Sequence, residues 1–306
     1  MAVYEQSYKP YTGRLTPEWS RFLIIPRHAY RAVFNSKLFI AFFAICFLPL
    51  LVEAILIYLR HNFGALAAMS INVRELIPVD GFFFETFVNI QMGFAFLMAL
   101  LIGPPLVSRD LRNNALPLYL CRPFSRTEYV MGKMSVLLIL LSLITWIPQL
   151  VLFLFQSYLE GLAWFKANVS IAFAIVIASL VWILLLALLS QTISALVKWR
   201  VVASGALVGL FLIPSVFGAF INEVFSTRIG NLVSLGALIR NVTAGLFGTF
   251  DRLTEIRRVR DFDGTILREI VLYEPPLWSS WAMLFLLCAV CLALLSWKVK
   301  AYEVVR

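Results

Sequence analysis

The sequence predicts an all-α polytopic membrane protein with six transmembrane helices. Of the residues, 61% are hydrophobic and only 14% charged, so a water-soluble fold of 306 residues would have too little polar surface to cover its core. The apolar residues gather in runs that match the roughly 20 residues a helix needs to cross about 30 Å of hydrocarbon. Lipid offers the backbone no hydrogen-bond partner, so those runs must be helical. Basic residues separate by side. With the N-terminus inside, the cytoplasmic segments carry 16 Lys and Arg against 5 acids, and the external segments 10 against 11. Lys and Arg in short loops set orientation, which places both termini in the cytoplasm of a multi-pass cell-membrane protein.

Residues 1–37 read as a cytoplasmic N-terminal segment and 38–306 as the membrane domain. The first 37 residues lack the short apolar core and small-residue site of a cleavable signal. Thr16-Pro17-Glu18 is a helix start, with Thr as N-cap and Pro at the first helical position. Beyond it, Trp19, Phe22, Leu23, Pro26, Tyr30, Val33 and Phe34 share one stripe. Arg21, Arg27, His28, Arg31 and Asn35 lie opposite. This pattern is an amphipathic helix suited to the membrane surface.

The spans are expected at Leu38–Leu59, Phe87–Val107, Met134–Gln156, Val169–Val197, Val201–Ile221 and Leu277–Trp297. Asn222–Pro276 falls outside, with seven Arg and seven acids. Within it, Leu232–Phe250 is apolar but carries Arg240 at its middle, so a helix lying on or dipping into the outer leaflet is expected there rather than a seventh span. Asp251–Glu269 is dense in charge and reads as a small solvated element.

The connection between spans two and three is too structured for a plain linker. Arg109 to Leu116 can form two helical turns, the coupling helix, which Pro117 stops. Ser125-x-x-Glu128 is a capping box that starts the next helix. Apolar Leu116, Leu118, Tyr119, Leu120 and Phe124 lie between, framed by Arg122 and Arg126, a composition suited to docking.

The run LVSRDLRNNALPLYLCRPFSRTEYVMGK resembles the corresponding loop of type-2 ABC transporter permeases. That family carries an L-Y-L-x-R-P-x-S-R-x-x-Y-x-x-G-K pattern, matched at Leu118, Tyr119, Leu120, Arg122, Pro123, Ser125, Arg126, Tyr129, Gly132 and Lys133. The ending KVKAYEVVR, the amphipathic helix and the six spans are also similar. The long charged segment Asn222–Pro276 departs from the family's short re-entrant helices. The resemblance implies a permease subunit of the bacterial inner membrane that pairs with a second copy as a homodimer. It also implies a separate ATP-binding subunit docked through the N-terminal helix and the loop. Arg109, Asp110, Arg112, Asn113, Asn114, Leu116, Tyr119, Arg122 and Arg126 would form the coupling surface. ATP and Mg would sit on that partner, with no cofactor, metal or catalytic residue in this chain. The residues agree with this division. No G-x-x-x-x-G-K-[ST] occurs, and Gly132-Lys133 lacks the glycine five residues earlier.

Glu53 reads as the one ionisable residue inside a span, one turn after Pro49. A carboxylate in hydrocarbon must face the bundle, pair, or be protonated. Its candidate place is the dimer seam or the substrate path, the alternative being a reach outward to Arg60. Gln91, Gln149 and Gln191 read as interhelical hydrogen-bond partners. Gly205 and Gly209 form a small-x-x-x-small face for close helix approach, at a dimer seam or within the chain. The basic charge is a topology signal that also favours membrane lipid; nucleic acid is not expected.

Two other functions compete with the exporter. A non-transporting permease pair could relay ATPase motion to an extracytoplasmic partner, which the charged Asp251–Glu269 suggests. An ion-coupled carrier with Glu53 as coupling acid would call for inverted repeats, and none is evident.

Overall fold

The structure, a computed structural model, describes residues 24–62, 78–113, 126–197, 199–260 and 266–298. Six helical stretches are long and apolar enough to cross a membrane: Lys37–His61, Gly81–Leu106, Thr127–Glu160, Leu162–Leu196, Arg200–Phe225 and Leu277–Lys298. All six expected spans are present. The chain is an all-α polytopic membrane protein with a single two-stranded hairpin among its described residues.

The helices are α1 (Ile24–Phe34), α2 (Lys37–Ile45), α3 (Leu48–His61), α4 (Gly81–Arg112), α5 (Arg126–Ile144), α6 (Trp146–Glu160), α7 (Leu162–Leu196), α8 (Arg200–Phe225), α9 (Leu235–Phe247) and α10 (Leu277–Lys298). The first span is α2 with α3, and the third is α5 with α6. We call the end bearing α1 and the connection from α4 to α5 the loop end. The opposite end, bearing α9 and the hairpin, is the hairpin end.

Helix α7 is the centre. It packs against α4, α5, α6, α8, α9 and α10. Small residues on its buried face, including Ala174, Ala178, Ser179, Ala187, Ser190 and Ser194, let its neighbours approach. Against α4 the approach is closest at Gly103, where an added Cβ would lie 2.6 Å from Ser190 Cβ.

Proline shapes the spans, and polar side chains repair the backbone it frees. A proline at i leaves the carbonyl of i−4 without its donor. Pro148 does this to Ile144 O, where the helix breaks at Thr145 between α5 and α6. Pro49 stands beside a similar break at Cys46–Phe47 in the first span. Gln91 of α4 serves both places, its Nε2 donating to Ile144 O and, at 2.8 Å, to Cys46 O. Pro104 and Pro105 act within α4. Ser204 Oγ donates to the freed Leu100 O at 3.3 Å, while Ser194 Oγ and Ser108 Oγ donate to Pro104 O at 2.5 and 2.6 Å.

Several boundaries differ from the sequence reading. Helix α4 begins at Gly81, because the Asp80 carboxylate accepts from Phe83 N at 3.0 Å and caps it. Spans three and four meet at a single residue, Gly161, whose φ of 94° only glycine adopts readily. The expected coupling helix is not separate on its described side: Arg109–Arg112 continue α4 without a break. Helix α5 starts at Arg126, where the capping box places it; Ser125 lies outside the described residues.

The expected helix in 232–250 is α9. Its 13 residues span about 20 Å, too short to cross a bilayer. It does not simply rest on a leaflet, because it packs into the bundle against α4, α7, α8 and α10. Leu238, Val242 and Phe247 are buried there, together with polar Asn241 and Thr243. The expected solvated element is an antiparallel hairpin, Glu255–Arg260 with Ile266–Leu272, in the register Glu255 to Leu272 with an irregularity at Val259–Arg260.

Candidate functional site

At the loop end one predicted coupling residue, Asp110, is held in a clamp. Asp110 lies in the last turn of α4. Its carboxylate Oδ2 meets Lys133 Nζ at 2.8 Å and accepts from Tyr129 Oη at 2.7 Å. Tyr129 and Lys133 are one turn apart on α5, so a single helical face supplies both donors. The clamp closes the base of the connection: α4 leaves at one side and α5 enters at the other. Both ions of the pair are largely buried. A buried pair is held by mutual attraction and hydrogen bonds against a large desolvation cost, so removing either partner is expensive.

Helix α1 is fixed to the same place. Tyr30 Oη donates to Val136 O at 3.0 Å and Ser135 O at 3.3 Å, on α5 just past the clamp. Burial pushes the Tyr30 hydroxyl up to about 12, so it remains a donor at any physiological pH. Ala29, Tyr30 and Val33 pack toward the core, while Arg27, His28 and Arg31 are exposed. The amphipathic reading of this helix therefore holds over its described part. The start at Thr16 lies outside the described residues. Between α1, α4 and the clamp is a cavity of about 460 Å³, lined by Val33, Pro105, Asp110, Lys133 and Arg200 among others.

Arg109 and Arg112 lie in the last turns of α4, Asn113 just past its end and exposed, and Arg126 opens α5. Asn114, Leu116, Tyr119 and Arg122 lie outside the described residues. Tyr129 and Lys133 enter the sequence reading only as matches to the loop pattern; their pairing with Asp110 is seen only where the two helices meet.

Glu53 is fully buried inside the single chain. Its Oε2 accepts from Gln149 Nε2 at 2.8 Å, joining the first and third spans. The carboxylate thus faces the bundle. It does not reach Arg60, which pairs with Glu160 at 3.4 Å. Nor is Glu53 the only acid buried in a spanning helix. Glu85, in the second turn of α4, is 6% exposed and accepts from Thr249 Oγ1. Gln91 and Gln149 bridge helices as expected, but no bridge is seen from Gln191. Along α8, an added Cβ on Gly205 would meet nothing within 4 Å, and one on Gly209 only Ile213 Cδ1 at 3.7 Å. Among the described residues, nothing packs closely on these two glycines. Cys46 and Cys291 are buried and Cys288 half-buried, and all three are free. The described residues contain no metal-ligating cluster.

The hairpin end holds a second polar assembly. The Glu274 carboxylate, 2% exposed, accepts from Asn231 Nδ2 at 2.6 Å and Asn241 Nδ2 at 3.4 Å, and stands 3.6 Å from Arg240 Nη2. Asn222 extends the assembly, its Nδ2 donating to Asn231 Oδ1 at 2.8 Å and its Oδ1 accepting from Gly230 N at 2.7 Å. Neither Glu274 nor these asparagines stands in a distinguishing sequence pattern.

A scan of the chain against protein-family models matched none, and a comparison with curated proteins matched none.

Proposed function

We propose that this chain is the membrane subunit of an ATP-driven exporter. Two copies pair in the membrane, and each is gripped from the cytoplasm by a separate ATP-binding subunit. The grip is on the 109–126 segment together with α1. The observation that carries this reading is the clamp of Asp110 with Lys133 and Tyr129. It ties the inner ends of the second and third spans at the base of the segment that resembles the type-2 permease loop. Tyr30 ties α1 to the same turn of α5. A force applied at the loop is then delivered to two spans at once, and through Gly103 and Ser194 to the central α7. The open Gly205–Gly209 face supports pairing through α8. The hairpin supports a second reading, in which the pair passes ATPase motion to an extracytoplasmic partner. ATPase activity in vesicles without movement of any solute would favour that reading.

Co-purification in mild detergent with its natural neighbours tests the proposal. The native chain is expected to retain an ATP-hydrolysing subunit. The double variant Tyr119→Ala/Arg122→Glu is expected to insert normally and lose it. A native chain that never retains an ATPase, or a double variant that retains it fully, would contradict the reading.

A further inference from the structure

Two cavities adjoin at the hairpin end and share Arg228 and Arg240. One, of about 520 Å³, is lined by Asn222, Arg228, Ser234, Gly236, Ala237 and Arg240 among others. The other, of about 360 Å³, adds Arg252 and Thr254 from the approach to the hairpin. Three arginines thus line two neighbouring cavities that share Arg228 and Arg240. Glu223 and Glu274 also line them, but the Glu274 carboxylate is turned inward and occupied by Asn231, Asn241 and Arg240. The Arg240 and Arg252 side chains are 48% and 56% exposed; Arg240 reaches Glu274 at 3.6 Å, and Arg252 reaches Asp80 at 3.5 Å with its guanidinium 4.5 Å from the Phe82 ring centroid.

The first turn of α9 lines the first of these cavities. Ser234 caps the helix, its Oγ accepting from Ala237 N at 3.3 Å. Gly236 has no side chain, and a Cβ there would meet nothing within 4 Å. The positive dipole end of this helix therefore borders a cavity that arginines also line. That combination suits an oxyanion with several acceptor oxygens.

The surroundings say what bears the oxyanion. Ser215, Ala219, Asn222 and Glu223 of α8 line the cavity on one helical face. On the adjoining face, Val216, Phe217, Phe220 and Val224 are exposed and apolar. A phosphoryl group in the cavity would have a ready track for attached hydrocarbon along α8.

We infer that the hairpin end binds the phosphodiester of a phospholipid, with Arg240, Arg252, Arg228 and the first turn of α9 around the phosphate and the acyl chains along α8. This site is independent of the ATPase reading, and its failure leaves that reading standing.

The test uses the full chain, delipidated in detergent, with binding read by native mass spectrometry and by the rise in thermal unfolding midpoint. The probes are phosphatidylglycerol, diacylglycerol of the same chain length, and inorganic phosphate. Phosphatidylglycerol should bind and stabilise, and diacylglycerol should do neither. Arg240→Gln should weaken phosphatidylglycerol binding about tenfold, the loss expected for a charge-assisted hydrogen bond. Gly236→Val, which fills the cavity without changing charge, should weaken it comparably. Arg252→Gln, at an exposed side chain, keeps the test intact should Arg240→Gln not fold. Equal binding of diacylglycerol, or variants that bind like the native chain, would overturn the inference. Inorganic phosphate binding as tightly as the lipid would overturn the lipid assignment and leave a soluble phosphate site.

Discussion

Gly218→Val is expected to lower the thermal unfolding midpoint of the detergent-purified protein sharply, while Gly205→Val leaves it nearly unchanged. A Cβ on Gly218 would fall inside contact distance of Gly230 O. That obstacle is backbone, which cannot rotate away as a flexible side chain can. The facing Gly230 is equally confined, by Gly218 O and by Asn222 Oδ1 at 2.7 Å. Forcing the segments apart would also pull Gly230 N from Asn222 and strain the chain of amides leading to Glu274. Overpacking a tight contact costs about 1–3 kcal/mol, and a backbone-to-backbone contact belongs at the upper end. Gly205 is the internal control, since its Cβ would meet nothing. A loss of dimer with Gly205→Val, at unchanged unfolding midpoint, is the result that pairing through α8 predicts. Equal destabilisation by the two substitutions would contradict the packing described for α8.

Lys133→Met is expected to cost about 3 kcal/mol or more, because it leaves the Asp110 carboxylate buried without its cation. Asp110→Asn should cost a comparable amount, since it leaves the buried Lys133 ammonium without its anion. The double variant should recover most of the loss, because a buried ion pair replaced as a unit is often close to neutral. Unfolding midpoints of the two single variants and the double variant form a cycle that isolates the pair. A strictly additive cycle would show that Asp110 and Lys133 are not a clamp. Under the exporter reading, transport per ATP should fall in the double variant, because the pair that passes force from the loop to both spans is gone.

The spans were legible because their signal is compositional and long-range. Twenty apolar residues in a row leave one physical solution, and all six were found at their places. Boundaries were less legible because local chemistry sets them. Asp80 starts α4 six residues before the expected second span, and Gly161 turns the chain in one residue where the expected spans leave 157–168 between them. The hairpin was less legible: Glu-Ile-Arg-Arg-Val-Arg and Ile-Leu-Arg-Glu-Ile-Val-Leu hold β-branched residues but lack the period-two alternation of a half-buried strand. The site was legible only as a motif. The pairing of Asp110 with Lys133 depends on how two helices meet across an intervening loop, which no periodicity encodes. The Glu53–Gln149 pair joins residues 96 apart in sequence and lay beyond the reach of local pattern for the same reason.

The central claim is that the segment following α4 faces the cytoplasm as a handle for a motor carried elsewhere. The chain contains its own reporter, Cys121, in the middle of that segment. A membrane-impermeant maleimide should leave Cys121 unmodified in intact cells and modify it in inverted membrane vesicles, with Cys121→Ser abolishing the signal. Modification of Cys121 in intact, sealed cells would put the handle on the wrong side of the membrane and end the account.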